Sequence, residues 1–416
     1  MNVLMLNAFD DVAGADRAAR RLQQGLRGAG VDARLLVQFK SGDDPGILCP
    51  GSSLHTLLRR VKLYLGTLPV RRYPLRPVNN FTPALLPDRL PERVAAIAPD
   101  LVHLHWLGAG FCSVESIGRF NRPIVWTLHD AWSFTGGCHV PGHCRKYRQR
   151  CGTCPVLGST RDDDLSRRVW ERKSRTWRGV RPTLVAPSRW LADCARASSL
   201  LGGCRIEVIP NGLDTTVFRP MKRRAARERL GLPPDRPLIL YGAVNPLTDP
   251  NKGWQLLQPA LQAVSNSWPD AMLAVFGADA PVSAPATGMP VTFLGRIRDE
   301  ASLAMAYAAA DLFVAPSLQE SFCQTLIEAM ACGTPAVAFR ATGPLDIVDH
   351  LENGYLAEPC DPVDLARGID WILASRARQE QLADRARRKV ARDFAIETVA
   401  GRYLGLYEEL LEGRCG

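Results

Sequence analysis

The chain has 416 residues, 46% of them hydrophobic, and a formal net charge of +10. That length supports two domains with their own cores, and no apolar run is long enough to span a membrane as a helix. The positive balance favours phosphates or an anionic lipid surface as partners, and the lack of zinc-finger spacing, an RNA-binding signature or a basic heptad region sets nucleic acid aside.

The opening MNVLMLNAFDD is too short and too acidic for a secretory signal. It reads as a first strand at residues 3–6, which points to a cytoplasmic protein. A loop over 7–14 ends in Gly14, and a helix begins near Ala15. A glycine at a strand-to-helix turn lets backbone approach a ligand and aims helix amides at it. Residues 32–39 read as the second strand. In 54–77, Leu54, Leu57, Leu58, Val61 and Leu65 form one helical stripe beside Arg59, Arg60 and Lys62, with Arg71, Arg72 and Arg76 behind. Two readings fit: a core-packed helix with a solvated basic face, or a surface that dips apolar side chains into a membrane and sets basic ones on lipid phosphates.

Residues 101–105 and 124–128 are buried strands ending in His105–Trp106 and His129–Asp130. Next come Cys138-x5-Cys144-x6-Cys151-x2-Cys154. Twelve cysteines in a cytoplasmic chain argue for metal or burial over disulfides. Four at this local density suit a tetrahedral, structural zinc site with no position open for chemistry. Reduced, metal-free thiols are the alternative. The site would hold a loop too long to lie unstructured in a compact domain. Asp162, Asp163 and Asp164 precede an amphipathic stretch and read as a helix N-terminus.

Strands at 183–186 and 205–209 close the first sheet. VIPNGLDTTVFRP, at 208–220, breaks the pattern with Pro, Asn-Gly and Pro, and marks a domain boundary. The second half restarts with a strand at 238–241, and a loop leads to Lys252-Gly253, where a helix-entry lysine suits a phosphate. A strand at 312–315 stops at Pro316-Ser317. A loop carries Glu320, a helix over 325–331 carries Glu328, and a strand follows at 336–339. The carboxylates therefore lie where an open parallel sheet presents its ligand crevice. Helices over 361–373, 379–394 and 396–411 complete the chain.

PS-x2-E-x7-E-A-M-A-x-G-x-P followed by an apolar strand resembles the donor-sugar motif of the large retaining family of GT-B glycosyltransferases. VIPNGLDTTVFRP resembles that family's interdomain linker, and IVWTLHDAWSFTGGC a subgroup linked to bacterial exopolysaccharide assembly, colanic-acid-type transferases included. The resemblance implies two doubly wound Rossmann-like α/β domains facing across a cleft: an acceptor-side domain at 1–212, a nucleotide-sugar domain at 213–395, and a helix over 396–416 crossing back to the first.

It also implies roles. Glu328 would hold the ribose, and Glu320 would sit by the donor sugar, with backbone amides of Ser321, Phe322, Cys323 and Gln324 near its hydroxyls and phosphates. Lys252 and Arg296 would meet the diphosphate, Gly14 would belong to the glycine loop over it, and His129 would face the donor sugar. The chain departs from the family at Cys323, where glycine is usual, and near Asn245, where many relatives carry an arginine.

The implied reaction moves a sugar, with retention, from a nucleotide diphosphate to an acceptor hydroxyl, without a catalytic divalent ion. The acceptor would be a polyprenyl-linked oligosaccharide at the inner membrane. The rivals are a transferase for a small soluble acceptor and a catalytically weak scaffold subunit.

Overall fold

The computed structural model describes residues 1–49, 53–74, 76, 81–283 and 285–413, with the backbone alone over 53–58. The chain divides into two compact units, Met1–Pro210 with Val399–Gly416, and Asn211–Thr398.

The first unit holds seven parallel strands: β1 (Asn2–Phe9), β2 (Asp32–Phe39), β3 (Ile47–Leu48), β4 (Leu101–Leu104), β5 (Ile124–Thr127), β6 (Thr183–Ala186) and β7 (Ile206–Val208), ordered β3-β2-β1-β4-β5-β6-β7. The second holds six: β8 (Leu238–Gly242), β9 (Met272–Phe276), β10 (Val291–Gly295), β11 (Leu312–Ala315), β12 (Ala336–Phe339) and β13 (Gly354–Ala357), ordered β10-β9-β8-β11-β12-β13. Each order reverses once, between β1 and β4 and between β8 and β11. Ligands of doubly wound sheets bind at the strand carboxyl ends beside that reversal.

The strands are apolar on both faces because each face is covered. Successive side chains alternate between faces, so Leu238 and Leu240 join one core with Phe313 and Ala315. Ile239 and Tyr241 join another with Val314 and Phe339. The first unit is built alike: Leu4, Leu6 and Leu104 pack on one side, Val3, Met5 and Val125 on the other. Each fully buried Leu or Phe contributes roughly 1.5–3 kcal/mol.

Unit 1 is discontinuous in sequence. The helix Ile396–Glu412 brings Tyr403 and Tyr407 onto its sheet. The Tyr407 hydroxyl lies 2.6 Å from His103 Nδ1, and the Tyr403 hydroxyl 2.8 Å from Thr127 Oγ1, which itself lies 2.8 Å from His103 Nε2. All four side chains are buried.

Candidate functional site

In the second unit the loops leaving β8 and β11 are stitched together. Asn251 accepts from the Leu318 amide on its carbonyl (2.9 Å) and from the Gln319 amide on Oδ1 (3.1 Å), and donates Nδ2–H to the Gln319 carbonyl (2.8 Å). Gly253 makes the approach possible: a Cβ there would stand 1.8 Å from the Pro316 carbonyl oxygen. Lys252 is thereby delivered to Glu320, and its Nζ donates to Oε1 at 2.6 Å. Burial pulls the Lys252 pKa down, but the charge and hydrogen bond of Glu320 outweigh it and hold it above the usual lysine value. The Glu320 backbone is fixed on both sides, its amide donating to Thr342 Oγ1 (3.0 Å) and its carbonyl accepting from the Gly343 amide (2.9 Å).

The helix Gln324–Ala331 begins directly after this loop. Cys323 is its N-cap with φ 82°, the left-handed region that favours glycine. Its thiol is buried, lies 3.4 Å from Thr325 Oγ1, and is pushed up to about 12, chiefly by burial. The Phe322 side chain turns into the core against Phe394, ring centroids 5.6 Å apart, so only its backbone faces the loop's business. One turn along, Glu328 is buried and accepts from the Tyr307 hydroxyl at 2.9 Å. Ser321 and Gln324 flank Cys323 at the helix entry. Arg296 is not brought to the Lys252–Glu320 pair. It is exposed after the edge strand β10, which β9 separates from β8.

In the first unit Asn7, on β1, accepts from the Trp106 amide beyond β4 on Oδ1 (2.8 Å) and donates Nδ2–H to Asp16 Oδ1 (2.7 Å). Gly14 is the first residue of the helix Gly14–Gly28, and the amides before it, Ala13 (2.8 Å) and Val12 (3.2 Å), donate to Asp16 Oδ2. The helix entry is thus engaged by its own carboxylate, whose pKa burial raises to about 6 against these hydrogen bonds.

Beside it, His105, Trp106, Trp126, His129, Asp130, Trp132 and His139 line one cavity. His105 Nδ1 and His129 Nε2 lie 2.9 Å apart, and His105 Nε2 is buried with no hydrogen-bond partner among the described residues. A proton on His105 Nδ1, donated to His129 Nε2, avoids a buried orphan N–H and leaves the His129 N–H on Nδ1. Burial holds His129 down at about 4 and His103 at about 3. His129 is therefore a neutral imidazole near pH 7, able to offer one N–H to a hydroxyl. Asp130 is saturated: Oδ2 accepts from His139 Nδ1 (2.6 Å) and Trp106 Nε1 (2.9 Å), and Oδ1 from the Trp132 amide (2.7 Å). His139 Nε2 lies 2.8 Å from Thr82 Oγ1.

The surface of the first unit follows one of its two readings in the apolar stripe and departs from expectation in the basic set. On the helix Ser53–Arg71, Val61, Tyr64, Leu65 and Leu68 are 46%, 53%, 43% and 40% exposed, a stripe at helical spacing that faces out. Leu54, Leu57 and Leu58 lie outside the described side chains. The basic set is smaller than expected. Arg59 donates to the Gln38 carbonyl (2.6 Å), Arg76 folds back on the Tyr73 carbonyl (3.0 Å), and Lys62 is half-buried, leaving Arg60, Arg71 and Arg72 exposed. Asp164 caps the helix Leu165–Thr176, accepting from the Arg167 amide.

The sequence carried no signal for Asn251, Thr342 or Tyr307, whose roles depend on which loops the topology brings together. For Asn7 and Asp16 the only hint was their place around the first glycine loop.

Residues 222–389 match the family described as Glycosyl transferases group 1, and residues 12–217 the family described as Glycosyltransferase Family 4. A D-inositol 3-phosphate glycosyltransferase of Xylanimonas cellulosilytica is 31% identical over 76% of this chain and 73% of its own length. Two others of that name align over 48% and 51% of their own length, so for these the chain spans about half of the relative. A sucrose-phosphate synthase from Thermosynechococcus elongatus superposes with a TM-score of 0.71 at 24% identity, covering 99% of this chain and 100% of that one. HepE of Anabaena, solved with UDP-glucose, gives 0.64 at 20% identity, covering 99% and 100%.

Proposed function

The chain belongs to the group 1 family of glycosyltransferases and has the GT-B fold, and on that premise we propose that it transfers a hexosyl group from a nucleotide diphosphate sugar to an acceptor hydroxyl with retention of configuration. The observation that carries this reading is the Lys252–Glu320 pair at the reversal of the second sheet. The bond that breaks joins the anomeric carbon to a diphosphate oxygen, and its electron pair leaves with the diphosphate. The new bond joins that carbon to the acceptor oxygen, whose proton passes to the departing phosphate. Lys252 neutralises the charge that develops on the leaving group, an effect strongest in a site shielded from water. Glu320 holds Lys252 in place and faces the sugar, Glu328 takes the ribose hydroxyls, and His129 donates to a sugar hydroxyl. The Anabaena structure with UDP-glucose supports this donor class. A panel of UDP-, GDP- and ADP-sugars tests it: the true donor raises the melting temperature and is hydrolysed or transferred. If none does either, the chain is a scaffold subunit.

The acceptor is a lipid-linked oligosaccharide of exopolysaccharide synthesis, met at the cytoplasmic leaflet. Support comes from the outward stripe Val61, Tyr64, Leu65 and Leu68 with Arg60, Arg71 and Arg72, each basic residue contributing about 1 kcal/mol at an anionic surface. No helix among the described residues is long and apolar enough to cross a membrane, so attachment would be peripheral. The relatives named for D-inositol 3-phosphate favour a second reading, a small soluble acceptor. Sedimentation with anionic vesicles at low and high salt separates them: salt-sensitive binding supports the lipid-linked acceptor, and indifference to vesicles the soluble one.

A further inference from the structure

The stretch between β5 and β6 contains the short turns Lys146–Arg148 and Pro155–Leu157 before the helix Leu165–Thr176. Its interior is organised around sulfur. Cys138, Cys144, Cys151 and Cys154 all line one cavity, together with Thr135, Gly136 and Tyr147. Cys138, Cys151 and Cys154 are buried, Cys144 is half-buried, and every described cysteine is a free thiol. Cys138 and Cys154 also pack in a small core with Val156, Leu157, Leu165 and Val169.

One backbone amide is aimed at these sulfurs. The Gly136 amide donates to Cys151 Sγ at 3.2 Å. Such a bond is worth most to a charged acceptor. Next to the cavity, Lys173 is buried and spends its Nζ on the carbonyls of Trp132 and Thr135, lying 3.7 Å from the Trp132 ring centroid. No carboxylate salt bridge to it is found among the described residues, so an anionic neighbour would suit it.

We propose that Cys138, Cys144, Cys151 and Cys154 bind one zinc ion in a closed, structural four-thiolate site. Among the described residues no group of His, Cys, Asp or Glu is already set to hold a metal ion, so the thiols rotate into the cavity as the ion enters. Four S–H bonds break, four Zn–S bonds form, and four protons leave to solvent. Zinc fits because it is tetrahedral, thiophilic and content with four protein ligands. The cluster's two negative charges then face Lys173 and the Gly136 amide. The ion staples a stretch whose regular structure is limited to short turns. Because His139 follows Cys138 directly, the staple also steadies the bond from His139 to Asp130.

The test starts from full-length protein purified without chelator under reducing conditions. Elemental analysis is expected to find about one zinc per chain. Cobalt substitution should give sulfur-to-metal charge-transfer absorption, and native thiol titration should count four fewer reactive cysteines than the metal-stripped protein. Cys151→Ser should lose both metal and stability. Should it fail to fold, Cys144→Ser, at the half-buried position, should lower zinc affinity on the order of a hundredfold, and Cys194→Ser, outside the cavity, should leave it unchanged. Protein with no metal that takes up none when reduced overturns the proposal. So does a mass two or four hydrogens short, which would show disulfides in its place.

Discussion

At the reversal of the second sheet the polar groups carry charge, whereas at the same place in the first they are neutral or internally matched. Both reversals are spanned by an asparagine, Asn251 in the second unit and Asn7 in the first, each reaching the loop beyond the facing strand. The second delivers an ion pair, Lys252–Glu320. The first delivers Asp16, already covered by amides, and next to it the imidazoles His105 and His129, kept uncharged by burial. One topology thus serves two chemistries. Strand order decides where a ligand is met, and the side chains beyond the strands decide whether it is met by charge or by neutral hydrogen bonds. A phosphate needs the former and a sugar hydroxyl the latter.

The contrast can be broken from either side. The largest effect is expected from Lys252→Ala, which should lower kcat roughly 10²–10³-fold at saturating donor while leaving the unfolding of the first unit unchanged. A loss below tenfold would move the leaving-group charge elsewhere. The first unit should respond to acid instead. His103 at about 3 and His129 at about 4 lie below the ~6.5 of an unfolded imidazole. Between those values the unfolded chain takes up protons that the folded chain refuses. Stability is therefore full above pH 6.5 and falls as pH drops, by on the order of 2–4 kcal/mol at pH 5. The second unit holds only His350, which burial also lowers though it is less enclosed, and should show a smaller dependence of the same sign. Hydrogen exchange at pH 7.5 and 5 resolves the units, and equal loss in both would show that the buried imidazoles do not set the acid limit.

Glu328→Ala should weaken nucleotide diphosphate binding tenfold to a hundredfold, the roughly 1.5–3 kcal/mol of charge-assisted hydrogen bonds, with Tyr307→Phe as the control for its buried partner. Calorimetric titration with the nucleotide reads it directly, and unchanged affinity in a folded variant would remove Glu328 from the ribose. The smallest effect belongs to Cys323. A left-handed backbone costs a non-glycine residue about 1–2 kcal/mol, so Cys323→Gly relieves strain while losing a buried sulfur, and stability should stay within about 1 kcal/mol. Cys323→Val, branched at Cβ, should be clearly less stable. If both variants unfold at the same urea concentration, the conformation at this position is not strained.

The strands and the second unit's motif were legible because their signals are local. Short apolar runs such as LFVA and AVAF, bounded by turn residues, read as buried strands, and they are observed at Leu312–Ala315 and Ala336–Phe339. The two-residue strand Ile47–Leu48 is too short to carry a pattern. Arg59 and Arg76 looked like a basic face, yet their hydrogen bonds run inward. Charge along a sequence does not say which way a long side chain turns. The grip of Thr342 on Glu320 spans 22 residues and exists only once β11 and β12 are paired. The departure at Cys323 was visible as an unexpected residue, and its physical meaning, a positive φ, only in three dimensions.

The return of Tyr403 and Tyr407 to His103 and Thr127 bears on how the protein is made. Synthesis releases the strands of the first unit before any of the second, yet two of the side chains that close its core are translated only after the whole second unit. The second unit is contiguous and needs nothing translated after it to fold, while the first waits with its tyrosine sites open. A released chain truncated before Tyr403 would hold a complete second unit and an incomplete first one. Quality control that senses exposed apolar surface would then act on the unit whose strands were translated before the other.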